Sequence, residues 1–173
     1  MRFRKIQMLS RVTYRIANTA GNVLLGMMFI FLLMGVICRY VLRYPLAWPE
    51  ETSMILLVWM VFFGASMALK DRRHVGIIVF IALFPSRVRN AIMIAVDSLM
   101  GLFSGYLMVF GWKISVFAGA SQTTQYWGIP YFYVYLSVSV GGLLLLIQAF
   151  SLILEDIQAV LSSENRELLF GKP

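Results

Sequence analysis

Apolar residues fall into four long blocks along this chain, separated by short polar segments of uneven charge. Between Arg15 and Arg39 lie 23 uncharged residues, enough for a helix of about 34 Å at ~1.5 Å per residue. The hydrocarbon core of a bilayer is about 30 Å thick, so this block can cross it. The first span is predicted over residues 17–41. Pro45 and Pro49 then break that helix and can open the next, because proline is tolerated in a first helical turn. A second span follows over residues 52–69, 18 uncharged residues or ~27 Å of helix. The third is placed over residues 90–116, interrupted by Asp97. The fourth runs over residues 131–154, after a polar loop at 121–128 and Pro130.

Three segments lie outside these blocks. The first 15 residues carry Arg2, Arg4, Lys5, Arg11 and Arg15 and no acid. Ile6, Leu9, Val12 and Ile16 recur there at helical spacing, which predicts a surface helix leading into the first span. Residues 74–86 are apolar but number only 13, about 20 Å of helix and too short to cross. Basic residues flank both sides, so both ends face one compartment, and the segment is expected to lie in or dip into one leaflet as an in-plane interfacial helix. The mixed-charge tail to Pro173 is expected to extend the last helix or fray. The resulting fold class is an all-α integral membrane protein: one membrane domain over residues 1–173, four transmembrane helices, and a short in-plane helix between the second and third.

Charge settles the orientation expected. Five Lys or Arg precede span one, two follow it, five lie between spans two and three, Lys113 alone follows span three, and Arg166 and Lys172 sit in the tail. Basic residues accumulate on the cytoplasmic side, so both termini are expected inside. Trp48, Trp112 and Trp127 then form an aromatic belt at the outer interface. The net charge of +7 is spread over span ends rather than along a polar stripe, which argues against nucleic-acid binding. One cysteine, Cys38, excludes an internal disulfide; one histidine, His74, excludes a bis-histidine haem or a zinc cluster within this chain. The first block is too long for a signal-peptide core and lacks a small-residue cleavage site. No cofactor or metal is expected.

Few residues offer chemistry. Asp97, the one acid within a span, is either a proton or cation relay or a structural acid in an intramembrane ion pair, about two turns from Arg89. Glu50 and Glu51 point about 100° apart on a helix, poorly placed to share a proton. They suit the positive end of the helix dipole or a docking contact. Arg72, Arg73, His74, Arg87 and Arg89 are placed to hold lipid headgroups. Gly101 and Gly105 form a GxxxG, and Gly64 with Ala68 a small-xxx-small pair, either of which permits close helix approach. Tyr131, Phe132, Tyr133 and Tyr135 suit interfacial packing. With no nucleophile–base pair or phosphate loop, the chain reads as a scaffold and not an enzyme.

The order RYVLRYPLAWPEE (39–51), WMVFFGASMALKDRRHV (59–75) and PSRVR (85–89) resembles the small membrane subunit, the DctQ-like component, of tripartite ATP-independent periplasmic (TRAP) transporters. The matching positions are Arg39 and Tyr40, Trp48 with Glu50 and Glu51, Gly64 and Ala65, and Arg73, His74 and Val75. GIPYFYVYL (128–136) extends the likeness more loosely. The chain departs from many members at Ile77 and Ile78, where an acid is common, and at 137–140, where a second proline is. The resemblance implies a larger many-span partner subunit with elevator-type motion and sodium coupling, and a periplasmic solute-binding protein delivering a carboxylate such as a C4-dicarboxylate or sialic acid. The small subunit would brace its partner, with Arg39, Tyr40, Trp48, Glu50, Glu51, Gly64, Ala65, Gly101 and Gly105 as interface candidates and phospholipids around it. Two other readings compete: a membrane anchor of an oxidoreductase, and a stand-alone four-span homo-oligomeric exporter.

Overall fold

In the computed structural model, residues 2–44, 46–71 and 86–170 are described, with side chains over 6–44, 46–71, 88 and 91–158. The described residues form four helices: α1 (Arg2–Tyr40), α2 (Trp48–Lys70), α3 (Ser86–Phe117) and α4 (Phe132–Phe170). Each contains a stretch long and apolar enough to cross a membrane. The in-plane helix expected at 74–86 lies outside the described residues, save Ser86, where α3 begins.

The helices outrun the hydrophobic blocks that predict them. At 39 residues each, α1 and α4 extend ~58 Å, well beyond a ~30 Å hydrocarbon core. Hydropathy marks only the part immersed in lipid; backbone hydrogen bonding carries the helix on into water. The N-terminal segment expected as a surface helix leading into span one is helical and continuous with that span in α1. Its exposed side is the apolar set Leu9, Val12 and Ile16, while Ser10, Thr13 and Ala17 are buried.

Helix ends follow local chemistry. After α1, Arg43 adopts a left-handed conformation (φ 55°), and the Tyr44 amide returns to the Cys38 carbonyl at 3.0 Å, which terminates the helix. At the start of α2, Pro49 occupies the first turn with Glu50 and Glu51, where proline lacks no needed donor and acids meet the helix dipole. Serine and threonine hydroxyls within the spans fold back on their own helices: Ser53 on Pro49, Ser104 on Met100 and Ser115 on Gly111. That bond satisfies a hydroxyl that lipid would leave without a partner.

Packing does not follow chain order. Helix α4 lies between α2 and α3, α1 packs chiefly on α2 with a smaller contact to α4, and α3 is held mainly by α4. In the most apolar stretch of α4, 39% of residues are buried, against 11% in α1, 17% in α2 and 11% in α3. The central position of α4 rests on adjacent glycines. A Cβ at Gly141 would collide with the Phe62 side chain of α2, and a Cβ at Gly142 would lie 2.6 Å from the Met108 amide nitrogen of α3. Residues one apart point about 100° from each other on a helix, so the pair admits one neighbour on each side. Below them Leu69, Leu145, Ala149 and Leu152 form the buried apolar cluster, with Ala65, Met100 and Leu107 packed against it.

Candidate functional site

The chain concentrates its polar contacts at the two ends of the bundle. At the hairpin end, the end of α1, the start of α2 and the loop from α3 to α4 converge. Arg39 donates to Glu50 in a half-exposed ion pair joining α1 to α2. Glu51 turns the other way, as the ~100° step between adjacent helical residues requires. Its two carboxylate oxygens accept the amides of Gln125 at 2.6 Å and Tyr126 at 3.0 Å. The Trp127 indole N–H donates to Thr52 Oγ1 at 3.0 Å, and that hydroxyl donates to the Trp48 carbonyl at 2.8 Å. Phe31, Trp48 and Trp127 meet edge to face with centroids 5.9 Å apart in each pair.

The loop held by Glu51 is itself knitted. The Thr124 amide donates to the Ile129 carbonyl at 2.8 Å, and the Ile129 amide donates back to Thr124 Oγ1 at 3.0 Å. Gly128 supplies the left-handed turn (φ 62°) between them, a conformation that costs glycine little. The Tyr131 and Phe132 amides bond Gln122 and Gly119 carbonyls, closing the loop onto both helices. Tyr126 and Trp127 remain about half exposed, and Tyr40, Val41, Leu42 and Tyr44, at the end of α1 and just after it, are more exposed still. The result is a fixed aromatic surface with one ion pair at its edge.

At the opposite end, Ser10 of α1 and Gln148 of α4 are fully buried and clasp each other. The Ser10 hydroxyl donates to Gln148 Oε1 at 2.6 Å, and Gln148 Nε2 donates to the Ser10 carbonyl at 3.0 Å. Lys70 of α2 pairs with Glu155 of α4 at 3.2 Å, and Tyr14 donates to Asp71 at 3.1 Å. Asp97 is buried on the face of α3 that carries Gly101 one turn away, the side turned to α4.

The structure thus separates residues that sequence grouped together. Trp48, Glu50 and Glu51 do gather at one place, but Glu50 and Glu51 serve different neighbours, α1 and the distant loop. Gly101 and Gly105 face Ala149, Ile153 and Leu146 of α4, so they serve the α3–α4 seam within the chain. Ala65 packs on the buried cluster, whereas a Cβ at Gly64 would meet nothing within 4 Å. Arg72, Arg73 and His74 lie outside the described residues, as do the side chains of Arg87 and Arg89, which stand in the first turn of α3. Sequence reasoning missed Gln148 and Ser10. The available signal was one amide within an otherwise apolar fourth span. Among the described residues no three His, Cys, Asp or Glu side chains gather as a metal set.

Comparison with known proteins places this arrangement. The sequence profile of the family described as "Tripartite ATP-independent periplasmic transporters, DctQ component" matches residues 28–159. The chain is similar to the C4-dicarboxylate TRAP transporter small permease protein DctQ of Vibrio cholerae, at 30% identity over 89 residues, 51% of this chain and 38% of that protein. It is similar to a putative TRAP transporter small permease protein of Haemophilus influenzae at 26% over 121 residues, 70% of this chain and 74% of that one. The sialic acid TRAP transporter small permease protein SiaQ of Vibrio cholerae matches at 23% over 109 residues, 63% of each. The matched stretch spans well under half of the first relative's length. With four membrane-length helices and a family profile covering well over half of its residues, the chain belongs to the DctQ component family of tripartite ATP-independent periplasmic transporters, the small permease subunits of these systems.

Proposed function

We propose that this subunit is a non-catalytic brace for a larger, many-span, elevator-type subunit, in a system that takes up a carboxylate solute with sodium after delivery by a periplasmic binding protein. The observation that carries this reading is where the polar groups go. The inter-helix polar bonds described above join this chain's own helices at the two ends of the bundle. Between those ends the exposed residues of α1 and α3 are predominantly apolar, from Val23 to Ile37 and from Leu99 to Phe110. Such a body presents a broad greasy surface to its surroundings.

Length adds a mechanical argument. Basic residues sit at both ends of span one, and moving a charge to the bilayer centre costs about 2.5–3.5 kcal/mol on insertion scales. Vertical displacement is therefore resisted, as a fixed frame requires. The excess of basic residues at the start of α1, the end of α2 and the start of α3 supports cytoplasmic termini in an inner membrane. In this orientation the Glu51-pinned loop faces the periplasm and is available to a docking binding protein. Relatives named for C4-dicarboxylates and sialic acid support an organic-anion solute.

Affinity purification of the tagged chain in mild detergent tests the reading. A polytopic partner of about a dozen spans should co-purify. Sodium-driven uptake of succinate or sialic acid into proteoliposomes should require both membrane proteins and the binding protein. Uptake by this chain alone, or self-association as its sole interaction, would overturn the proposal.

A further inference from the structure

Lys113, unlike Arg39 and Lys70, has no carboxylate partner among the described residues. It lies on α3 four residues before the helix ends at Phe117, about 6 Å along the axis, in a stretch where Val109, Phe110, Trp112, Ile114 and Phe117 are all exposed. Helical side chains lean toward the N-terminus, so Lys113 reaches back one turn, deeper into the span. Its ammonium lies 5.3 Å from the centroid of the Phe110 ring. A ring face attracts a cation but supplies no net negative charge. Among the described residues no carboxylate pairs with Lys113; the ion pairs there are Arg39–Glu50 and Lys70–Glu155.

Beside it a groove of about 370 Å³ runs between α3 and α4, lined by Met108, Val109, Trp112, Lys113 and Ser139. Its donors are unevenly engaged. The Ser139 hydroxyl already donates to the Met108 carbonyl at 2.8 Å. The Lys113 ammonium and the Trp112 indole N–H have no acceptor among the described residues. We propose that this groove binds an anionic phospholipid, with Lys113 as counter-ion to the headgroup phosphate and an acyl chain along Met108 and Val109.

Charge complementarity and depth select that occupant. The membrane-length stretch of α3 is 27 residues, about 40 Å and longer than a ~30 Å hydrocarbon core. An ammonium one to two turns inside its end therefore lies near the boundary where headgroup phosphates begin, and a charge in so apolar a setting favours an opposite charge nearby. The apolar walls continue from that level toward the bilayer interior, as an acyl chain needs. The inference stands independently of the bracing role, since it needs only a membrane-embedded chain.

Native mass spectrometry of the full-length protein, purified with whatever subunits it holds and titrated with dioleoylphosphatidylglycerol or dioleoylphosphatidylcholine, tests it. One phosphatidylglycerol should bind about five- to ten-fold more tightly than phosphatidylcholine, the worth of roughly one near-surface charge. Lys113→Met should remove one preferentially bound phosphatidylglycerol while Lys113→Arg keeps it, and thermal unfolding of each variant checks the fold. Equal binding of the two lipids by the wild-type protein would overturn the proposal even if the methionine variant failed to fold. So would an unchanged preference in a folded Lys113→Met protein. Displacement of the lipid by inorganic phosphate, or lipid-independent protection of Lys113 from amine acylation by a partner subunit, would point to a different anion and overturn it as well.

Discussion

Replacing Glu51 by alanine should loosen the loop between α3 and α4 and leave the helices in place. The carboxylate receives two backbone amides, Gln125 at 2.6 Å and Tyr126 at 3.0 Å, from a segment more than 70 residues away. Hydrogen bonds to a charged acceptor contribute roughly 1.5–3 kcal/mol each where they are buried. Here the donors are exposed and Glu51 is half-buried, so water competes and the pair together is worth about 1–2 kcal/mol. Loss of that amount raises the open population of the loop about 5- to 30-fold. Amide hydrogen exchange read by mass spectrometry should show that acceleration in peptides covering 121–130 and little change in α2 or α4. Glu51→Gln, which keeps one acceptor oxygen, should fall between. Arg39→Gln removes only the exposed α1–α2 ion pair and should leave loop exchange near wild type. Unaltered exchange at Gln125 and Tyr126 in Glu51→Ala would refute the pinning role and return Glu51 to helix-start electrostatics alone.

Other substitutions test the packing. Gly142→Leu places a Cβ 2.6 Å from the Met108 backbone and should separate α3 from α4, lowering stability by at least about 1–3 kcal/mol in a detergent melt. Gly101→Ala, whose Cβ would sit 3.8 Å from Ala149 and Ile153, should melt near wild type although it alters the more conspicuous motif. A double-mutant cycle of Ser10→Ala with Gln148→Leu should return a coupling of about 0.6 kcal/mol, the average for polar pairs in membranes, and no more than about 1.7 kcal/mol. A coupling of zero would mean that the clasp is incidental to the α1–α4 contact.

Much of the fold was legible and much of the interior was not, for one reason. In water, apolar periodicity identifies the buried face of a helix. In lipid the solvent is as apolar as leucine, so the same pattern loses that meaning. The helical stripe Leu9, Val12 and Ile16 is therefore exposed, and the buried stripe beside it is Ser10, Thr13 and Ala17. Small and hydroxylated residues mark the inside here. Gly101 and Gly105 were visible as a spaced motif, yet the tighter contacts fall at Gly141 and Gly142, which no four-residue spacing announces. Glu50 and Glu51 stood out as a pair, but adjacency said nothing of the loop that one of them holds.

The amino-acid sequence by itself determined the crossings. A backbone in hydrocarbon must satisfy its own hydrogen bonds, which within a short apolar segment only a helix achieves, and bilayer thickness then sets the length that counts as a span. The tertiary structure alone decided the order α1, α2, α4, α3, and with it which side chains close on one another. Hydrophobicity cannot choose between lipid and a neighbouring helix, so neighbours are chosen by shape and hydrogen bonds: two glycines that admit a helix on either side of α4, the Ser10–Gln148 clasp, and one carboxylate that ties down a distant loop.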